Sequence, residues 1–500
     1  MAAPLRLDPE ASSLLKEAAA LLPAPAYLVG GAVRDALLGR PSFDLDLAVF
    51  DARPAAERLA GAFKATLVPL DEDNGVYRLV LPGKHKTIRQ IDVASIQGKT
   101  IEEDLARRDF TVNALALPLA GAANKAALID PRGGLADLSK KQLRAESESL
   151  FKDDPLRLLR AFRIAAQLGF SIEEKTLAFI TRQRQGVRKP AGERLRSELM
   201  ALLEQPGCAK WLRLMDKAEL LTCLFEELEP SRQCALVYYG PGGVLTHVLD
   251  TAERADFLMH NLHKVFPRHA ARLEAHLARR SSEGNPYKAV LILAALLHDV
   301  SKPETARQVD GRLRFFGHDT KGAKRAEAIL KRLRFSSDHV AAVSCVVANH
   351  LRPGNLAGGP AITDKAIYRF FRDLGEDAIS LLLVCWADHA SYLKEEQVLR
   401  LLPIAVDPSA GVSKVRPADA RKTIHHLQTI ALLLDRCFDE EKKAVPDAVI
   451  DGRDVMKLLG IDPGPQVGEL LDRVREAQAE GRISDRAQAL EFLLKEARPA

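Results

Sequence analysis

Aromatic residues make up only 5% of this 500-residue chain, which has two tryptophans and seven tyrosines. With Leu and Ala abundant instead, the bulk of the protein is expected to be helical. Cysteine is also sparse. Cys208, Cys223, Cys234, Cys345, Cys385 and Cys437 lie far apart with no C-x-x-C pair, which argues against a disulfide framework and for reduced core residues. No stretch approaches eighteen consecutive apolar residues, and MAAPLRLDPEASSLL lacks a charged segment followed by an apolar one. A cytoplasmic protein with no membrane partner is therefore expected. Internal repeats and low-complexity tracts are missing as well.

What is present is an ordinary folded composition, 47% hydrophobic and 28% charged, in 54.8 kDa. A chain of this length exceeds one hydrophobic core and implies three or four modules. The net charge of +5 permits a polyanionic partner without requiring one. Local clustering says more: between Lys152 and Arg196 eleven basic residues face five acidic ones. That surplus exceeds the charge of the whole chain. It suits either a solvated helix face or phosphate neutralisation.

Strand-like runs are confined to the first 130 residues or so, where YLVGG, FDLDLAVF, ATLVPL, YRLVL and RQIDVASI alternate with Gly, Pro and Asp. AVRDALLG and PAAERLAGAF read as helices between them, giving a small domain with one sheet. Beyond DPRGGLADLSKKQL the apolar spacing becomes helical. A loop at YYGPGGVLTH and a Pro-rich stretch, LLPIAVDPSAGVSKVRPAD, mark later boundaries. The expected modules are residues 1–145, 146–235, 236–400 and 401–500, an α+β head followed by helical domains.

Within the head, Asp44 and Asp46 stand at i and i+2 of a strand, so both carboxylates project from one face. Paired carboxylates hold Mg²⁺, which also takes substrate phosphates, as nucleotidyl transfer requires. Gly30 and Gly31 let backbone approach a triphosphate, and Arg34, beside Asp35 on the next helix, can neutralise it. Asp92 on a later strand is either a third carboxylate that helps activate an attacking hydroxyl or a surface residue.

The string LVGGAVRDALLG followed by D-x-D resembles the signature of the class II tRNA nucleotidyltransferase and poly(A) polymerase family at every motif position. Four further strings resemble that family in its order: RRDFTVNALA, DPRGGLADL, DDPLRLLRAFR and ERLRSEL. The resemblance implies a polymerase-β-like head, with Arg108 and Asp109 contacting sugar and triphosphate. It also implies a helix around Asp154, Arg157, Arg160 and Arg163 that templates the incoming base. Chemistry supports the same reading. Asp154 and Arg157, three apart, are expected on one helical face, offering an acceptor beside donors. Cytosine and adenine present an amino donor next to a ring acceptor; uracil and guanine reverse that order. Asp153 stands where the family has Glu. The segment between Asp92 and Arg107 is short where CCA-adding relatives carry a longer, arginine-bearing loop, as in the CC-adding branch.

The second half carries His247, His298, Asp299, His318, His350 and Asp388, with Lys302 and Pro303 after the His-Asp pair. Their order resembles the HD phosphohydrolase superfamily, with Ser301 where Gly is usual. Mixed N and O ligands can surround one or two metals, Mn²⁺, Ni²⁺ or Mg²⁺, and activate water against a phosphate ester. The expectation is an enzyme that adds CC or CCA to tRNA from CTP, with ATP as an open second donor and oligomeric state undetermined. The HD domain is read as accessory to it. A poly(A) polymerase is the alternative, as is a hydrolase or RNA-binding protein whose transferase has decayed.

Overall fold

The computed structural model describes residues 7–496 except 84, 86, 122–126, 281–283, 285, 360, 419 and 440–443. The chain forms two compact units: residues 1–190 with 218–223, and residues 191–217 with 224–500. Among the described residues no helix is long and apolar enough to cross a membrane.

The first unit is built on six strands: β1 (Tyr27–Val29), β2 (Asp44–Val49), β3 (Thr66–Asp71), β4 (Val76–Val80), β5 (Gln90–Ser95) and β6 (Ala116–Pro118). Their order across the sheet is β3-β4-β5-β2-β1-β6, with β2 and β5 parallel and the other neighbours antiparallel. The five strands expected from sequence are all present. The three-residue β6 was not anticipated, being too short to carry an alternation signal. In β2 the period of two separates the faces: Leu45, Leu47 and Val49 are buried on one side, and Asp44 and Asp46 point to the other. Helix α1 is Pro9–Leu21, and α2 is Gly31–Leu38. Helix α3 (Ala52–Phe63) covers β4 and β5 through Ala55, Ala56, Leu59 and Phe63. On the carboxylate face, Ala48 is roofed by Ile101 and Leu105 of helix α4 (Ile101–Leu105). The roof stops there, leaving Asp44 and Asp46 uncovered by it.

The strings RRDFT and DPRGG are stitched together where helix α5 (Gly134–Lys140) begins. Asp130 caps α5 by accepting the amides of Gly134 and Leu135 at 2.7 and 2.9 Å. Thr111 donates its hydroxyl to Asp137 at 2.6 Å, and Arg144 Nε donates to the same carboxylate at 2.8 Å. Gly134 is required by space, since a Cβ there would lie 2.3 Å from the Thr111 carbonyl oxygen.

Helices α6 (Ser149–Asp153), α7 (Arg157–Leu168) and α8 (Glu174–Gln183) follow. Asp154 and Arg157 are not neighbours on one helix as expected. Asp154 lies between α6 and α7 in extended backbone, φ −136° and ψ 97°, because Pro155 disfavours the helical region for the residue before it.

The second unit is helical apart from a hairpin, Arg307–Val309 with Arg312–Arg314, inside a stretch expected to be wholly helical. Its core is the helix Tyr287–Leu297, buried continuously from Ala289 to Leu297 and therefore enclosed on all sides. The proline-rich boundary is shorter than expected, because the helix Glu395–Ala405 runs through Pro403 before the chain leaves helical geometry. The helices Gly452–Leu459, Pro465–Ala479 and Arg486–Glu496 share a separate small core around Val455, Val474 and Leu493. LLGIDPGPQVG is the turn between the first two.

Gly134→Ala is expected to destabilise the first unit by about 1–3 kcal/mol, as an overpacked interior position does. Chemical denaturation followed by far-ultraviolet circular dichroism would read the loss, and an unchanged midpoint would contradict the close approach.

Candidate functional site: a carboxylate cleft and a histidine-aspartate centre

Strand register assembles the first site. Asp46 of β2 is paired with Asp92 of β5, and Asp92 with Arg78 of β4. Residues opposite one another share a face, so the three form one row across the sheet. Arg78 clamps Asp92 in a two-pronged ion pair, Nε to Oδ1 at 2.8 Å and Nη2 to Oδ2 at 2.7 Å. Arg78 was not anticipated. Its only sequence signal is a lone cation in the inward-alternating YRLVL.

Crowding carboxylates under partial cover raises their proton affinity. Burial pushes the Asp46 carboxyl up to about 6, Asp92 and Asp44 add repulsion, and Arg108 pulls the other way. Asp44 is raised as well, by burial and then by Asp92. A divalent cation between them relieves both costs, and the all-oxygen donor set suits Mg²⁺.

Gly30 closes one side of the site. Its φ of +71° is a left-handed conformation, and a Cβ there would come within 3.2 Å of Arg108 Nη1 and 3.3 Å of Asp46 Oδ2. Above it lies a cavity of about 390 Å³ lined by Gly30, Gly31, Asp46, Arg108, Asp109 and Arg157, among others. Asn113 and Arg160 also reach it. Arg108 is braced by Asp104 at 3.1 Å, and Arg160 stands 3.7 Å from Asp109.

Arg34 and Asp35, expected at the nucleotide site, are paired with each other. The Arg34 guanidinium grips Asp35 with two bonds of 2.9 Å and donates to Asn113 Oδ1 at 2.6 Å. Those bonds fix the guanidinium between the start of α2 and Asn113. Arg163 likewise donates to Gln167 at 2.7 Å, one helical turn on. Arg157 faces the cavity, its guanidinium donating to the carbonyls of Leu150 and Arg107 at 3.2 and 3.4 Å. Asp154 sits beside it, its carbonyl accepting the Arg157 amide and its carboxylate the Leu156 amide.

The second site lies in the second unit and brings all six sequence-predicted residues together. His247, His298 and Asp388 form one close group of potential metal donors, and Asp299, His318 and His350 form another. Asp299 lies between them, Oδ2 at 3.2 Å from His298 and Oδ1 at 3.4 Å from His318. The Nδ1 atoms of His298, His318 and His350 lie 2.8, 2.6 and 2.7 Å from the carbonyls of Ala295, Phe315 and Val347. Donation there leaves each Nε2 as a lone pair pointing inward. His318 and His350 then oppose two lone pairs at 3.1 Å, an arrangement that needs a cation. Among the described residues, the buried Nε2 of His298 and both Asp299 oxygens have no well-formed hydrogen bond. These residues fit a metal.

The electrostatics agree. Burial holds the His350 imidazole down to about 4, and His298 and His318 add to it, so it is neutral and ligand-ready. Against the opposing effect of burial, His298 and Lys302 hold Asp299 well below the usual carboxylate range. Lys302 bridges Asp299 at 2.5 Å and the Tyr239 hydroxyl at 2.8 Å, and Tyr239 stacks on His247. Neither tyrosine nor bridge was anticipated.

Because the Asp46 carboxylate must lose its proton to bind a cation, affinity for Mg²⁺ at the cleft is expected to fall as pH drops below about 6. In the metal-free protein the sign for stability is opposite. The folded state holds the extra proton between the ordinary value of 3.8 and about 6, so this residue's contribution declines as pH rises through that window. Mn²⁺ titration of the Asp299→Ala variant, which disables the histidine-aspartate centre, followed by electron paramagnetic resonance from pH 5 to 8, measures the first effect; a flat profile would contradict it.

The chain matches the Poly A polymerase head domain family over residues 26–144. It also matches a probable RNA and SrmB-binding site of polymerase A over 169–231, and the HD domain over 244–393. It is 35% identical to a CC-adding tRNA nucleotidyltransferase of Thermus thermophilus, covering 94% of each chain. It is 33% identical to an A-adding tRNA nucleotidyltransferase of Deinococcus radiodurans, covering 94% of this chain and 95% of that protein. In fold it is similar to a Thermotoga maritima CCA-adding enzyme complexed with tRNA, at TM-score 0.62 and 22% identity over 99% of this chain and 97% of that one. With a head, a helical body and a histidine-aspartate domain each accounted for, the chain belongs to the tRNA nucleotidyltransferase and poly(A) polymerase family, with an HD domain fused behind the transferase.

Proposed function

We propose that the protein transfers cytidylate from CTP to the 3′ end of tRNA, building CC. The observation that carries the cytidine-only reading is the connection from β5 to α4, residues 96–100, which contains no arginine. It is pinned at each end: Ile96 donates its amide to Val49, Gln97 to the Asp104 carboxylate and Lys99 to Glu103. A tethered segment of five residues has no reach into the cavity to re-form the pocket for ATP. Both C-adding and A-adding relatives lie at similar distance, and this local feature supports the C-adding reading.

Mg²⁺ at Asp44 and Asp46, when bound, neutralises the triphosphate and polarises its α-phosphate. Asp92, held by Arg78, stands beside them as the acceptor for the proton of the tRNA 3′-hydroxyl. The hydroxyl oxygen bonds to the α-phosphorus, the bond to the β-phosphate breaks, and pyrophosphate leaves. Gly30 and Gly31 bring backbone to the phosphates, and Arg108 and Arg160 supply charge. Arg157 donates to the cytosine ring acceptor and Asp154 accepts its amino group, a pairing that leaves uracil with unmatched donors. The turn imposed by Pro155 brings the two side chains from different segments.

For the second unit we infer hydrolysis of phosphate esters, including 2′,3′-cyclic phosphates at RNA ends. The six ligands suit Mn²⁺, Ni²⁺ or Mg²⁺, which when bound supplies an acidified water and charge for phosphate. Asp299 bridges the two donor groups, and Lys302 holds it in place.

Sequencing of tRNA 3′ ends after incubation with CTP alone, ATP alone and both is expected to show CC in the first and third and nothing in the second. Exclusive use of ATP on any RNA would instead identify a poly(A) polymerase. Asp44→Ala with Asp46→Ala is expected to lower CTP incorporation by on the order of 10²–10³-fold or more without changing tRNA binding in a filter assay. Asp299→Ala is expected to abolish metal-dependent release of phosphate from cyclic nucleotides; no release by the unaltered protein with any of the three metals would remove the hydrolase assignment.

A further inference from the structure

A cavity of about 410 Å³ opens beside the histidine-aspartate centre, with His350 and Asp388 of that centre in its wall. Its volume falls among those of small-molecule sites, roughly 300–1,000 Å³. Three helices enclose it: Arg352–Ala357, Asp377–Ser391 and Ala420–Cys437. Only the shared His350 and Asp388 belong to the metal ligands, so the remaining lining has no part in holding a cation.

That lining has a definite chemical character. His389 and His426 stack face to face, centroids 4.2 Å apart and planes within 5°. Among the described residues, His426 Nδ1 is a buried polar atom with no hydrogen-bond partner. His425 is anchored by Nε2 to the Ala357 carbonyl at 3.1 Å, fixing one edge. Lys422, exposed, also lines the cavity, on a wall that holds Asn355 and the Asp388 carboxylate besides apolar and imidazole groups. Gly354 keeps the space open: its Cβ would already touch both stacked rings, at 3.7 Å from His426 and 3.8 Å from His389, so any longer side chain enters the cavity.

We propose that this cavity is the nucleoside seat of the HD centre, taking the base and ribose of a phosphorylated RNA 3′ end while the phosphate lies against Asp388 and His350. The stacked imidazole pair gives the cavity a flat wall against which a base lies irrespective of its identity. The free Nδ1 offers one hydrogen bond to the sugar or base edge. Lys422 meets the charge of the preceding phosphate in the strand. The shared wall sets the geometry, because a nucleoside seated there has its 2′ and 3′ oxygens facing the ligands that hold the metal. In the hydrolysis, water adds to phosphorus, the ester bond to the ribose oxygen breaks, and that oxygen takes the proton. The proposal rests on the HD centre being a hydrolase.

Calorimetric titration of cytidine 3′-monophosphate separates the two ideas. The full-length protein is used with Asp154→Ala and Arg157→Ala, so that the transferase cavity no longer reads a base. One site is expected, and either Gly354→Leu or Lys422→Ala is expected to weaken its Kd about tenfold or more. Thermal melting checks that both variants fold, and Lys422→Ala, on the surface, guards against a folding loss at Gly354. In parallel, KM for cytidine 2′,3′-cyclic phosphate is expected to rise about tenfold more than KM for p-nitrophenyl phosphate, which has no nucleoside. Binding that neither substitution alters, or an equal change on both substrates, overturns the seat. Binding lost in both variants without hydrolysis of either substrate leaves the seat standing and overturns the hydrolase reading alone.

Discussion

The parallel register of β2 and β5 sets two carboxylates, Asp46 and Asp92, directly across from one another, and much of the first unit answers that repulsion. Arg78 neutralises Asp92 from β4, Arg108 pulls on Asp46 from beyond α4, and Gly30 gives up a side chain so that Arg108 can come that close. Each of these residues is explained by the carboxylate row more than by packing. The apolar side of the same strands, with Leu47, Leu79 and Val93 fully buried, contributes roughly 1.5–3 kcal/mol per side chain and absorbs the strain of a site that repels itself.

The histidine-aspartate centre solves the same problem with different atoms. There two carboxylates, Asp299 and Asp388, stand among four imidazoles, and three of those rings have their outer nitrogens spent on backbone carbonyls. Those carbonyls belong to residues three positions earlier in the chain, so each histidine is oriented by the end of its own segment. Asp299 itself follows the most deeply buried helix of the unit, Tyr287–Leu297, which denies it water and leaves cations as its partners.

What the sequence disclosed follows from locality. Asp44 and Asp46 were legible because a strand's period of two is a property of adjacent residues. The six residues of the second centre were legible because each sits in a short recognisable string, and His298, Asp299, His318 and His350 at the ends of helices. Arg78 was not, since its meaning depends on a partner fourteen positions away in a neighbouring strand. Asp154 was misplaced for a local reason that spacing ignores: a proline after it breaks the helix on which it was to sit. The basic surplus between residues 152 and 196 was also overstated. Asp109, Glu148 and Glu219 lie outside that window, yet pair with Arg160, Arg182 and Arg184 inside it. A window along the chain counts charge in one dimension, whereas a phosphate meets the charge left after folding.

The two centres also divide the available cations by ligand chemistry. Carboxylate oxygens alone, as at Asp44 and Asp46, favour a hard ion that keeps its waters and shares them with a triphosphate. A set of four imidazoles and two carboxylates favours later first-row metals, which bind nitrogen more strongly. Exchange of one metal for another therefore acts on the proposed transfer and hydrolysis unequally, although both take place in one chain. A protein that both extends an RNA end and clears phosphate from one needs the two reactions to be separable, and donor-atom identity separates them without any conformational coupling between the units.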